Sequence, residues 1–134
     1  MRNRTGRKLS AALLGLGLMA TAGWVTKLAA GGDQEVENRG DCSQQSDWKA
    51  RIRTDGPNRL DLEFEGGEVA GQQWRVRLTY NGTRVFNGTA TSGPDGEFDV
   101  DREVDNAAGP DTLEGVARNL LTGETCRGSV TADF

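Results

Sequence analysis

From Cys42 onward apolar and polar residues alternate with a period of two. Trp48, Ala50 and Ile52 alternate with Lys49, Arg51 and Arg53, and Leu60, Leu62 and Phe64 with Asp61, Glu63 and Glu65. Trp74, Val76, Leu78 and Tyr80 are followed by Phe98 and Val100, then Leu113, Gly115 and Ala117, then Cys126, Gly128, Val130 and Ala132. Such alternation marks half-buried strands, and no stretch of the body keeps a 3.6-residue period for three turns. Turn chemistry separates the runs: Asp55-Gly56-Pro57-Asn58, Gly66-Gly67, Asn81-Gly82, Gly93-Pro94-Asp95-Gly96, Gly109-Pro110-Asp111 and Thr122-Gly123. Asn81-Gly82 favours a type I′ hairpin, because both residues tolerate positive φ. The pattern predicts seven strands near 47–53, 59–65, 72–80, 83–88, 96–104, 112–119 and 124–133. Val85 and Phe86 are adjacent, so a regular strand turns one of them outward; a bulge in the short fourth strand accounts for this. Seven short antiparallel strands at this spacing imply an all-β sandwich.

The N-terminus follows another pattern. A basic start (Arg2, Arg4, Arg7, Lys8) precedes the apolar run Leu9–Met19 and the small residues Ala20-Thr21-Ala22, with Leu28-Ala29-Ala30 as a second cleavage pattern. This is the order of a secretory signal peptide. The alternative is an uncleaved anchor over residues 9–25, at the short limit for crossing a bilayer. Both place the body outside the cytoplasm, exported through the general secretory route. Residues 1–30 are therefore a signal peptide or membrane anchor and residues 31–41, polar and glycine-rich, a flexible linker. Residues 42–134 are the folded domain.

Charge and composition narrow the chemistry. Residues 31–134 hold 11 basic and 20 acidic residues, a balance of -9, which argues against a nucleic-acid partner. The chain has no histidine, which removes Ser-His and Cys-His nucleophilic catalysis and His-ligated zinc. No phosphate-cradling glycine loop precedes a helix. The expectation is a non-enzyme with no cofactor and no metal. The two cysteines, Cys42 and Cys126, form an even pair in an exported chain and read as a disulfide closing 85 residues.

Three other features stand out. Asp95, Glu97, Asp99, Asp101, Glu103 and Asp105 fall on alternate positions and share one face of the fifth strand. Clustered carboxylates can serve a cation or a basic partner. The plainer alternative is a solvated face, balanced by Lys49-Arg51-Arg53 and Arg75-Arg77. A metal site would need a loop donor, with Asp95 and Asp105 or Asp111 in reach. Phe86 is the candidate ligand contact, whereas Trp48 and Trp74 share the register of the core. Arg39-Gly40-Asp41 spells an adhesion tripeptide, read here as accidental.

A Trp opening the third strand (Trp74), a tight hairpin into a short fourth, and Ala117-Arg118-Asn119 before Thr122-Gly123-Glu124 resemble a fibronectin type III or immunoglobulin-like module. With Cys42-x5-Trp48 and Cys126-Arg127-Gly128, residues 42–134 resemble small secreted proteins of high-GC Gram-positive bacteria. These are turn and core residues, so the resemblance implies a fold and no activity. It also implies that the strands carrying the two cysteines lie side by side at one edge. The function expected is a non-catalytic extracellular or cell-envelope module binding a protein or glycan. The alternative is a structural or accessory surface domain on an N-terminal anchor, touching membrane only through residues 9–25.

Overall fold

A computed structural model describes residues 33–134 together with the two-residue strand β1 (Val25–Thr26). The candidate signal or anchor segment otherwise lies outside the described residues. The described chain is all-β: β2 (Glu35–Asp41), β3 (Asp47–Thr54), β4 (Arg59–Gly67), β5 (Gln73–Tyr80), β6 (Thr83–Thr91), β7 (Phe98–Asp105), β8 (Asp111–Asn119) and β9 (Thr125–Ala132). A five-stranded sheet runs β1-β2-β3-β4-β7 and a four-stranded sheet β6-β5-β8-β9, with every pairing antiparallel. The two sheets stack as a β-sandwich. Strands β2 and β3 meet β9 along one side, and β7 meets β6 along the other.

The alternating apolar positions become the inner faces. Ile52, Leu60, Leu62, Phe64, Trp74, Val76, Leu78, Phe98 and Leu113 are fully or almost fully buried. Trp74 packs against Phe98 with ring centroids 5.0 Å apart, and Trp48 stacks on Phe64 at 6.1 Å. Both tryptophans thus belong to the interior, although Trp48 stays half-buried at the β2–β9 side. The Asn81-Gly82 turn has φ of 47° and 85°, as a type I′ hairpin requires. The bulge falls where Val85 and Phe86 demand it: Leu78 pairs with Phe86 and Thr79 with Arg84, so Val85 is the extra residue.

Residues 35–41 correct the linker reading. They form β2, paired with β3 from Glu35↔Arg53 to Asp41↔Asp47. Val36 is buried in the core, Asn38 Nδ2 donates to the Ser129 carbonyl of β9 at 3.0 Å, and Gly40 lies against the Trp48 ring. The described body thus has one strand more than the pattern predicts, before β1 is counted. The Arg39-Gly40-Asp41 tripeptide is extended backbone within this strand, with Arg39 paired to Glu37.

Cys42 and Cys126 are bonded, with Cα atoms 4.3 Å apart. The bond does not join neighbours within one sheet. Cys42 follows β2 in the five-stranded sheet, and Cys126 lies on β9 at the edge of the other. It therefore ties the two sheets together. Beside it the buried Glu124 carboxylate accepts from Ser46 N–H, Ser46 Oγ and Gln44 N–H at 2.7–3.0 Å. At the other end of the sandwich, Tyr80 Oη donates to the buried Asp111 carboxylate at 2.5 Å and accepts from Ala107 N–H.

Candidate functional site

Because inward positions alternate with outward ones, each sheet presents its polar residues on one outer face. The two faces carry opposite charge.

On the five-stranded sheet the register sets the charges in rows: Glu37, Arg51, Glu63 and Asp101 form one, and Arg39, Lys49, Glu65 and Asp99 the next. Lys49 Nζ lies 2.6 Å from Glu65, Arg51 Nη2 2.5 Å from Glu63, and Arg53 Nη2 2.7 Å from Asp61. Of the predicted stripe, Asp99, Asp101, Glu103 and Asp105 point outward on β7, and Arg59 reaches Glu103 at 3.2 Å and Asp105 at 2.7 Å. Asp95 sits in the turn before β7, where its carboxylate accepts from Glu97 N–H at 3.0 Å. Asp111 is on the other sheet and bonded to Tyr80, so it cannot join a cation site with the stripe.

The carboxylates that do converge are Glu63, Glu65 and Asp99, with oxygens within 4.8 Å of one another. The β4 acids were not legible as partners of the stripe, since strand order is absent from a linear pattern. Burial raises the Asp99 carboxyl to about 8, helped by its hydrogen bond to Glu63 and by the nearby carboxylate charges. Glu63 is also raised, mainly by burial. We expect the pair to hold one proton between them at neutral pH, with Arg51 and Lys49 paired to Glu63 and Glu65. This cluster is internally balanced. An acid with a raised folded-state pKa contributes stability that is complete below its unfolded value and is lost as pH rises through the folded one. Stability should therefore fall between about pH 4 and about pH 8 for this pair. Asp99→Asn should raise Tm at pH 8 by roughly 4–8 °C, about 1 kcal/mol after discounting for the solvent that reaches Asp99. It should change nothing at pH 4. Equal Tm shifts at the two pH values, measured by scanning calorimetry, would contradict the shared proton.

The basic residues expected to balance the stripe divide between the sheets. Lys49, Arg51 and Arg53 serve the β4 acids, but Arg75 and Arg77 lie on β5 in the opposite sheet and cannot reach the stripe. They belong to the second face. There, Arg75 is directly opposite Arg118, Arg77 is opposite Val116, Val116 is opposite Arg127, and Arg84 is opposite Thr79. Five arginines share this surface with one acid, Glu114. Arg75 donates to Asn87 Oδ1 at 3.0 Å. Arg77, Arg84, Arg118 and Arg127 are exposed and have no ion pair among the described residues. They border two open grooves. One, of about 550 Å³, runs from Asn38 and Trp48 past Gly115 and Gly128 to Arg77, Arg84 and Arg127. The other, of about 360 Å³, is lined by Arg75, Arg77, Asn87, Val116, Arg118, Thr125 and Arg127. Like charges directly opposite each other oppose folding, so the Arg75–Arg118 pair holds a repulsion that no ion pair among the described residues offsets.

Phe86, the candidate ligand contact, lies on the inner side of β6 and not on this face. Its ring is partly buried against the core, and the Arg102 guanidinium covers it at 4.6 Å from the ring centroid.

No family model matches the chain, and no curated protein matches it. Among solved structures the chain is similar to one described as the crystal structure of a Br derivative of BhCBM56, at 25% sequence identity and a TM-score of 0.40, covering 71% of this chain and 100% of that one.

Proposed function

We propose that the chain is an exported, non-catalytic binding module of immunoglobulin or fibronectin type III topology, and that the outer face of the β6-β5-β8-β9 sheet is where it takes an extracellular protein or glycan. The observation that carries this reading is the set of four exposed arginines that have no ion pair among the described residues and border two open grooves. Strand order supports the topology: β3-β4-β7 facing β9-β8-β5-β6 is the arrangement of such modules, with β1 and β2 added beside β3. On the five-stranded sheet Lys49, Arg51, Arg53 and Arg59 each pair with a carboxylate, whereas the four exposed arginines of the four-stranded sheet have no ion pair among the described residues. Export rests on the N-terminal charge and apolar pattern together with the disulfide.

The test is retention of the purified domain on insoluble bacterial envelope material. The domain should pellet with it, and Arg77→Ala/Arg127→Ala should stay in the supernatant with unchanged Tm. Equal retention of both proteins, or of neither, would sink the assignment of this face.

A further inference from the structure

We propose that the ligand of the arginine face is a linear anionic polysaccharide, held through carboxylate, sulfate or phosphate groups repeated along its chain; this rests on the binding-module reading above. Five guanidinium groups stand on three adjacent strands and on β6 beside them, and Arg75 faces Arg118 across one strand pair. Guanidinium forks pair bidentately with planar or tetrahedral oxyanions. A row of oxyanions along the grooves would give Arg77, Arg84, Arg118 and Arg127 an ion-pair partner and would offset the Arg75–Arg118 repulsion.

The surrounding chemistry discriminates among polyanions. Sequence-tolerant binding of single-stranded nucleic acid uses exposed aromatic faces for base stacking. None is available here: Trp48 reaches the groove, but its ring packs on Phe64 and beneath Gly128. A membrane surface would call for apolar side chains to insert among the arginines, but Val116, between Arg77 and Arg127, is half-buried, and the exposed Leu120 and Leu121 lie in the turn beyond the end of β8 and not on this face. The acidic face of a second copy is a poorer match, since Asp61, Glu63, Glu65, Glu103 and Asp105 there already engage Lys49, Arg51, Arg53 and Arg59. At the β9 side the groove reaches Ser129, whose hydroxyl suits a sugar hydroxyl, while the Asn38 amide beside it is already bonded to the Ser129 carbonyl.

Heparin and polygalacturonate serve as sulfate and carboxylate probes, with neutral laminarin and single-stranded DNA as comparators, in titration calorimetry between 50 and 200 mM salt. At least one anionic glycan should bind more tightly than either comparator. Neutralising four arginines should weaken it by about 50-fold across that salt range, from a slope near 0.7 per charge. Arg77→Glu/Arg127→Glu should lose at least tenfold at low salt, whereas Arg59→Glu on the other sheet should lose little. Comparable losses in both variants would reduce the effect to net charge and overturn the proposal. Tighter binding of DNA, or salt-dependent self-association without glycan binding, would also overturn it. Binding of laminarin alone would refute the anionic ligand yet leave the binding module standing. Binding of no probe, together with no retention on envelope material, would remove both.

Discussion

Replacing Cys42 and Cys126 together by serine should lower the unfolding free energy by about 4–5 kcal/mol, the loop-closure value for a segment of this length. The bond spans 84 positions in sequence, nearly the whole described body. It also joins the two sheets at the β2–β9 side, where no strand ladder runs from one sheet to the other. What remains there is the Glu124 carboxylate holding Ser46 and Gln44, the Ser43 N–H to Thr125 carbonyl bond, and the Asn38–Ser129 bond. These groups stay satisfied when the bond is removed, and Ile52, Phe64, Trp74 and Leu78 keep their packing, although serine places a hydroxyl at the fully buried Cys126 position. The variant should therefore remain folded at 25 °C with Tm lower by roughly 15–35 °C. Urea denaturation with an unchanged m-value would show that the native state is the same. A loss below about 1 kcal/mol would mean that β2 and β9 hold the two sheets together without the bond.

The sandwich was legible because most of its strands, β3, β4, β5 and β8 above all, bury side chains at every second position. Strand β2 escaped that rule for a physical reason. Its inward positions are Val36, Asn38 and Gly40, so one residue of three is apolar. Asn38 spends its amide on the Ser129 carbonyl, and Gly40 is small because the Trp48 ring fills the space a side chain would take. Polar and glycine-rich composition therefore hid a paired strand. The disulfide pair was readable from parity and compartment, but its role in joining two sheets needed β2. The charged faces were half readable. Alternation shows that Arg75 and Arg77 share a face, as do Asp99 and Asp101, but it does not tell which sheet each strand joins. Assigning Arg75 and Arg77 to neutralise the stripe followed from that gap. The arginine face emerges only when β5, β8 and β9 are laid side by side, since Arg77, Val116 and Arg127 come from segments far apart in the chain.

Between that face and the core lies a pair of glycines whose substitution should be the most damaging change after loss of the disulfide. Gly115 on β8 and Gly128 on β9 are direct cross-strand partners. A Cβ on Gly115 would come 2.6 Å from the Phe64 ring, and one on Gly128 would fall onto the Trp48 ring. Phe64 and Trp48 are themselves stacked, so neither ring can yield without displacing the other. Strand β8 is paired on both sides, by β5 and β9, which limits its own retreat. Overpacking a core of this kind costs about 1–3 kcal/mol per site. Gly115→Ala should fall at the upper end, because Phe64 is fully buried, and Gly128→Ala lower, because Trp48 is half-buried and β9 is an edge strand. The two sites press on one stacked pair of rings, so their effects should not add. The decisive measurement is a double-mutant cycle. Introducing Gly128→Ala into Trp48→Leu should cost at least about 1 kcal/mol less than in the natural background, since the smaller side chain vacates the position the methyl needs. If the cost is the same in both backgrounds, the glycine is required by the backbone of β9 or by the groove above it, and not by the indole beneath.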